Sequence, residues 1–147
     1  MKRVAIQAAD FDVAAELAAL EALGGGGVAS FTGVVRGDGG LVALELEHYP
    51  AMTQAQVHRI VDEALARWPL LGVSVIHRFG RLEPGARIVF VGTASRHRTA
   101  ALESCAFLID WMKSDAPFWK KEHFAGGETQ WVAARAEDEA KAQGWKS

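Results

Sequence analysis

The stretch Val28-Ala29-Ser30-Phe31-Thr32-Gly33-Val34-Val35-Arg36-Gly37-Asp38-Gly39-Gly40-Leu41-Val42-Ala43-Leu44-Glu45-Leu46-Glu47-His48 decides the fold class. Val28 to Val35 is rich in small and β-branched residues and suits a strand ending at Arg36. Gly37 to Gly40 is a strong turn signal, and Leu41 to His48 reads as the returning strand. The pattern predicts a β-hairpin with Arg36 at its tip. Glu45 and Glu47 alternate along the second strand and read as a solvated face.

Working toward the N-terminus, Val4 and Ile6 alternate with polar neighbours as a short strand. Asp12 is placed to cap a helix reaching Leu23, which the run Gly24 to Gly27 terminates as a flexible connector. That run lacks the trailing Gly-Lys-Ser/Thr of a nucleotide-binding loop. Toward the C-terminus, Pro50 breaks the strand, and Thr53 with Gln56 forms a capping-box pattern for a helix to about Trp68. Val73 to Phe79 and Arg87 to Ser95 are β-branched runs joined by a turn at Leu82-Glu83-Pro84-Gly85. A long helix is predicted from about Arg98 to Lys113, then short strands at Phe118 to Phe124 and Thr129 to Val132. The tail from Arg135 is Ala-rich and charged, a helix or a frayed end. These hairpin-like pairings predict an α+β fold with largely antiparallel sheets, in one domain over residues 1–147.

The chain has 147 residues, 50% hydrophobic and 23% charged, with a formal net charge of -2, which argues against a general nucleic-acid binder. The single cysteine, Cys105, excludes an internal disulfide and a cysteine-based metal cluster, and reads as a small buried hydrophobe. No signal peptide or bilayer-spanning run is present, so the expectation is a cytoplasmic protein with no membrane, metal or cofactor requirement.

The chemistry concentrates in Lys113-Ser114-Asp115-Ala116-Pro117-Phe118-Trp119-Lys120-Lys121-Glu122. Lysines set among Trp111, Phe118 and Trp119 are candidates for proton transfer or nucleophilic work, because desolvation disfavours the ammonium form. Helical spacing places Lys113 where a stripe of Leu102, Ala106 and Ile109 meets an acidic edge of Glu103 and Asp110. Strand alternation puts Lys120 on a face with Phe118 and Glu122, opposite Trp119, Lys121 and His123. Solvated edge lysines are the plain alternative. Arg96-His97-Arg98 precedes a helix N-terminus, where cations oppose the dipole unless an anion is bound, so the tripeptide suits a phosphate cradle. His77-Arg78 lies inside a strand and reads as structural or interfacial.

Taken in order, Phe31 to Arg36, Leu46-Glu47-His48-Tyr49-Pro50, His77-Arg78-Phe79-Gly80, Pro84-Gly85, Ser95 to Arg98 and Lys113 to Glu122 resemble the signatures of the molybdopterin synthase large, catalytic subunit family. The resemblance implies an α/β hammerhead-type fold and a homodimer. Each subunit would bind a small β-grasp sulfur-carrier protein, in a heterotetramer with two carriers. The carrier's Gly-Gly tail would end in a thiocarboxylate, and the substrate would be cyclic pyranopterin monophosphate, converted to the dithiolene of molybdopterin. By resemblance, Lys113 and Lys120 are catalytic. Val34, Val35, Arg36, His97, Arg98, Lys121 and Glu122 line the substrate pocket, with Arg98 serving the neighbouring subunit's pocket in one arrangement. The rival readings are a non-catalytic docking module for the carrier and a phosphate-ester hydrolase using His97 and the arginines.

Overall fold

The chain runs β1 (Lys2–Gln7), α1 (Val13–Glu21), β2 (Gly27–Val34), β3 (Leu41–His48) and α2 (Pro50–Arg67). It continues with β4 (Leu70–Arg78), β5 (Gly80–Leu82), β6 (Arg87–Ser95), α3 (Arg98–Ser114), β7 (Phe118–Phe124), β8 (Thr129–Val132) and α4 (Ala136–Gly144). The structure, a computed structural model, describes residues 1–132 and 136–146. The tail is helical from Ala136, while Arg135 lies outside the described residues. The fold is α+β, with two four-stranded sheets.

The first sheet has the order β1-β4-β6-β2. Only its β1–β4 pair is parallel; β4–β6 and β6–β2 are antiparallel. β4 and β6 are nearly continuous runs of buried residues because both faces of the sheet are covered. Val73, Val75, Val89 and Val91 pack in one apolar cluster with residues of α2 and α3. Ile76, Phe90 and Ala94 cluster instead with Leu20 of α1 and with Phe11. The short helix α1 is started by Asp12, whose Oδ1 accepts from the Ala15 N–H at 3.2 Å.

The second sheet has the order β5-β3-β7-β8 and is wholly antiparallel. A small cluster of Val35, Leu46 and Leu82 packs where the two sheets meet.

The hairpin expected between Val28 and His48 does not form: β2 pairs with β6, and β3 with β5 and β7. The reason is non-local. β6 is buried on both faces and takes a partner on each edge, β4 on one and β2 on the other. The register shifts between Gly33 and Val34, which turns the strand. Val35 stays with the first sheet, its N–H donating to Ala86 O and its carbonyl accepting from Gly85 N–H, both at 2.9 Å. Gly39 and Gly40, at φ of 65° and 82°, then carry the chain to the other sheet.

Two further expectations are corrected. Helix α2 begins at Pro50, not after Thr53: Tyr49 is the N-cap residue and Pro50 occupies the first turn, where its missing N–H costs nothing. Thr53 is inside the helix and fully buried, so its side chain does not cap. Nor is the glycine run a loose connector. A Cβ on Gly26 would come within 2.6 Å of the Arg96 carbonyl oxygen, and one on Gly25 would overlap that of Ser95. The glycines let the backbone pass against the β6–α3 junction. Gly26→Ala is therefore expected to destabilise the protein by roughly 1–3 kcal/mol. Gly126→Ala, where a Cβ meets open space, should fall within about 0.5 kcal/mol of wild type. Equal denaturation midpoints for the two variants would contradict this packing.

Candidate active site

Helix α3 is seated by a buried stripe that includes Ala101, Cys105, Leu108 and Met112. Thr93 Oγ1 of β6 donates to the Ala101 carbonyl at 2.6 Å. Of the apolar stripe Leu102, Ala106 and Ile109, the first two are exposed and Ile109 is half-buried against the main core. At the last turn Lys113 leaves on that outer side, exposed. The helix closes where the N–H groups of Asp115 and Ala116 donate to the Trp111 carbonyl at 2.8 and 3.1 Å. Pro117 lacks a donor to extend it, and the chain reverses into β7.

Lys113 and Lys120 thereby arrive at one cleft of about 590 Å³ between the sheets. Phe118, Lys120 and Glu122 alternate onto its wall, as strand periodicity predicts. Val34, Val35 and Arg36 line the opposite side. Arg36 is two-thirds exposed, its Nε 3.8 Å from Asp38 Oδ2, so its guanidinium is open to a ligand. Lys113 Nζ lies 5.7 Å from the centroid of the Phe31 ring.

Of the aromatic residues expected around the lysines, Phe118 lines the cleft and the two tryptophans do not. Trp111 is buried in the main core, and Trp119 is half exposed, edge-on to Tyr49 at 4.9 Å. The rings that line the cleft are Phe31 and Phe118. Burial pushes the Lys120 pKa down and the Lys113 charge adds to the effect, while Asp138 opposes both. Asp138 lies on α4 and lines the same cleft, a contribution with no motif to announce it.

Three expected site residues lie outside this cleft. His97 and Arg98 are exposed at the other end of α3, roughly 22 Å from Lys113 at the helical rise per residue. Lys121 points to the opposite face of β7, its Nζ 5.4 Å from the centroid of the Trp131 ring. Glu45, expected in solvent, instead pairs across the strands, its Oε1 2.9 Å from His123 Nε2.

His77, read from the sequence as structural or interfacial, lines a pocket together with both lysines. It is an odd-numbered β4 position like Val73 and Val75, so it faces α3. Its ring stacks on Phe118 with centroids 3.7 Å apart and planes 14° from parallel. Nδ1 is 2.7 Å from the Arg78 carbonyl oxygen, which can only accept, so Nδ1 carries the proton. Burial lowers the pKa to about 3, the Arg78 bond opposes this, and Lys120, His48 and Lys113 reinforce it.

A depressed folded pKa means that, as pH falls below the unfolded value of about 6.5, the unfolded chain binds a proton that folded His77 refuses. Stability is lost from there down to about pH 3, by at most about 1.4 kcal/mol per pH unit. Nitrogen-15 NMR of the imidazole should show the Nδ1–H neutral tautomer unchanged from about pH 8 to 5. A titration midpoint near the unperturbed value would contradict the burial.

The geometry can be set beside known proteins. Residues 6–115 match the family model described as MoaE protein. A molybdopterin synthase catalytic subunit of Mesorhizobium japonicum is 54% identical, covering 98% of this chain and 93% of that protein. The solved molybdopterin biosynthesis MoaE protein from Burkholderia ambifaria superposes with a TM-score of 0.84 at 45% identity, over 100% of this chain and 99% of that one. The structure of the complex of subunits 1 and 2 of molybdopterin-converting factor from Helicobacter pylori shares the fold at 20% identity and TM-score 0.72, over 92% of this chain and 90% of that one. With the family model spanning most of the fold and the similarity running the length of both chains, this chain belongs to the MoaE family of molybdopterin synthase catalytic subunits.

Proposed function

We propose that the cleft receives the thiocarboxylated C-terminal tail of a small β-grasp carrier protein and transfers its sulfur to cyclic pyranopterin monophosphate. The observation that carries this reading is the convergence of Lys113 and Lys120, from a helix end and a separate strand, on one cleft. Two ammonium groups there attract an anionic tail and, once its sulfur is bonded to the pterin, stabilise the oxyanion that forms on its carbonyl as the acyl–sulfur bond is cleaved. Lys120, whose ammonium form burial disfavours, is suited to move a proton. Arg36 sits at the mouth, its exposed guanidinium beside Asp38 and accessible to the substrate's phosphate. Glu122 lies beside it, able to accept from the pterin's N–H groups. No step needs a metal or an organic cofactor.

A protein carrier's tail fits the shape: the cleft is open, and Val34 and Val35 line one wall. The Helicobacter pylori relative is itself seen as a complex of two different subunits. A homodimer bearing two carriers accounts for His97 and Arg98. Far from their own Lys113, they are exposed at a helix N-terminus, and a second copy would bring them to its partner's cleft as the phosphate cradle. Lys121 then supports the strand from its outer face.

Lys113→Ala should abolish dithiolene formation in a single-turnover assay with thiocarboxylated carrier, while carrier binding and the fold persist. An active variant would remove Lys113 from the chemistry. Retained carrier binding by a wild-type protein that forms no product would favour a docking module. For the cradle in trans, Arg98→Ala alone should weaken pterin binding. Mixing it with Lys113→Ala should then restore activity to about a quarter of the sites, those of mixed dimers with one intact pocket. No recovery on mixing would place Arg98 outside the partner's pocket.

A further inference from the structure

Adjoining the cleft, and sharing both lysines with it, is a smaller chamber of about 60 Å³. Its walls are mostly apolar, including Phe31, Ile88, Val91 and Met112. The polar side chains that reach it are Lys113, Lys120 and His77. Two of these only donate when charged. His77 is the acceptor of the set: with Nδ1–H committed to the Arg78 carbonyl, the lone pair is on Nε2. Among the described residues Nε2 has no protein partner, and it is not one of the sealed polar atoms, which are His48 Nδ1 and Thr53 Oγ1. It therefore opens onto the chamber. Stacking on Phe118 fixes the plane of the ring, and so the direction of that lone pair.

A chamber larger than roughly 10–15 Å³, with two to four polar partners, holds ordered water. This one supplies the His77 acceptor on β4, the Lys113 donor from α3, and Lys120 of β7, which donates as the ammonium and accepts as the free amine. We infer that His77 is a positioning residue, holding in this chamber the water whose oxygen replaces sulfur on the carrier. The inference rests on the sulfur-transfer reading above. Among the described residues, the charged or titratable groups facing His77 are Lys113, Lys120 and His48 of β3. None offers it a counter-charge, so the imidazole stays neutral and keeps its lone pair for the water.

The chemistry requires such a water. When the thiocarboxylate sulfur bonds to a pterin carbon and displaces an oxygen from it, the carbon–oxygen electron pair leaving with that oxygen, the carrier's terminal carbonyl carbon remains attached to the sulfur as an acyl thioester. Release forms a bond from the water oxygen to the carbonyl carbon and breaks the carbon–sulfur bond between carrier and pterin. The electron pair leaves with sulfur, which stays on the pterin as a thiol. One water proton passes to the free amine of Lys120, and the carrier departs as its carboxylic acid, which ionises. Thioester plus water gives acid plus thiol, with nothing oxidised or reduced.

The test is single-turnover mass spectrometry of the protein with thiocarboxylated carrier and cyclic pyranopterin monophosphate, in water enriched in oxygen-18. In the wild type the released carrier should carry one oxygen-18 in its terminal carboxylate. An unlabelled carboxylate, its oxygen drawn from the pterin, would overturn the inference. His77→Phe keeps the stack on Phe118 and loses the acceptor. It should form the carrier–pterin adduct at the wild-type rate and release it on the order of 10- to 100-fold more slowly. His77→Gln, which retains a neutral acceptor, should recover most of the release rate at an equal melting temperature. Slowing of adduct formation and release alike, or a Gln variant no better than Phe, would reduce His77 to a packing role and overturn the inference. A folded wild type that forms neither adduct nor product would instead overturn the sulfur-transfer reading, and this inference with it.

Discussion

The seating of α3 on β6 is the constraint on which the site depends. Thr93 is wholly buried, and its hydroxyl reaches the Ala101 carbonyl at 2.6 Å across that interface. A buried hydroxyl left without this partner would cost about 1–3 kcal/mol, so the bond fixes the helix's height as well as its face. Cys105 lies one turn further on, its Sγ 3.9 Å from the Val91 carbonyl, and burial raises its thiol pKa to about 12. It packs as an apolar residue. Met112 is the last buried residue of the stripe, and Lys113 follows it directly into the cleft. Shifting α3 by one residue would rotate that lysine about 100° around the helix axis and out of reach of Lys120.

Much of this was legible because it is local. The strands Phe118–Phe124 and Thr129–Val132 and the helix from Arg98 lie where periodicity and breakers predict them. Alternation correctly sorted Phe118, Lys120 and Glu122 from Trp119 and Lys121. What was not legible is non-local. The glycine turn after Arg36 shows that the chain bends, but not which strand waits beyond it. The partner of β2 is chosen by β6, more than fifty residues away in sequence, whose two buried faces need both edges filled. The capping-box pattern at Thr53 failed for a related reason. A motif that would serve at a helix start was overruled by Pro50 one turn earlier and by the burial of Thr53 itself.

His77 marks the boundary between the two kinds of information. Its parity with Val73 and Val75 was readable, and so was its place near the end of a strand. Its significance comes from Phe118, which stacks on it from a segment forty residues later and belongs to the other sheet. The cross-sheet contact ties the floor of the cleft to the strand that carries Lys120. A polar residue in a β-branched run reads as an exception to be tolerated until the partner that explains it is known.

The electrostatics of the cleft then follow from counting charges at close quarters. Lys113 and Lys120 bring two positive charges, and a protonated His77 would be a third in the driest corner. Burial and the two lysines together keep it neutral. Burial and the Lys113 charge likewise lower the Lys120 pKa, with Asp138 as a partial counterweight. The protein's own groups thus hold Lys120 nearer to its free-amine form than an ordinary surface lysine. An arriving anion reverses that balance, because a nearby negative charge favours the ammonium. Anion binding and proton uptake at Lys120 are therefore linked, each strengthening the other by the same free energy. In the proposed sulfur transfer, an acceptor that gains its proton as the anionic tail enters, and whose proton affinity falls again when that charge leaves, is what a sequence of attack and release at one carbonyl would require.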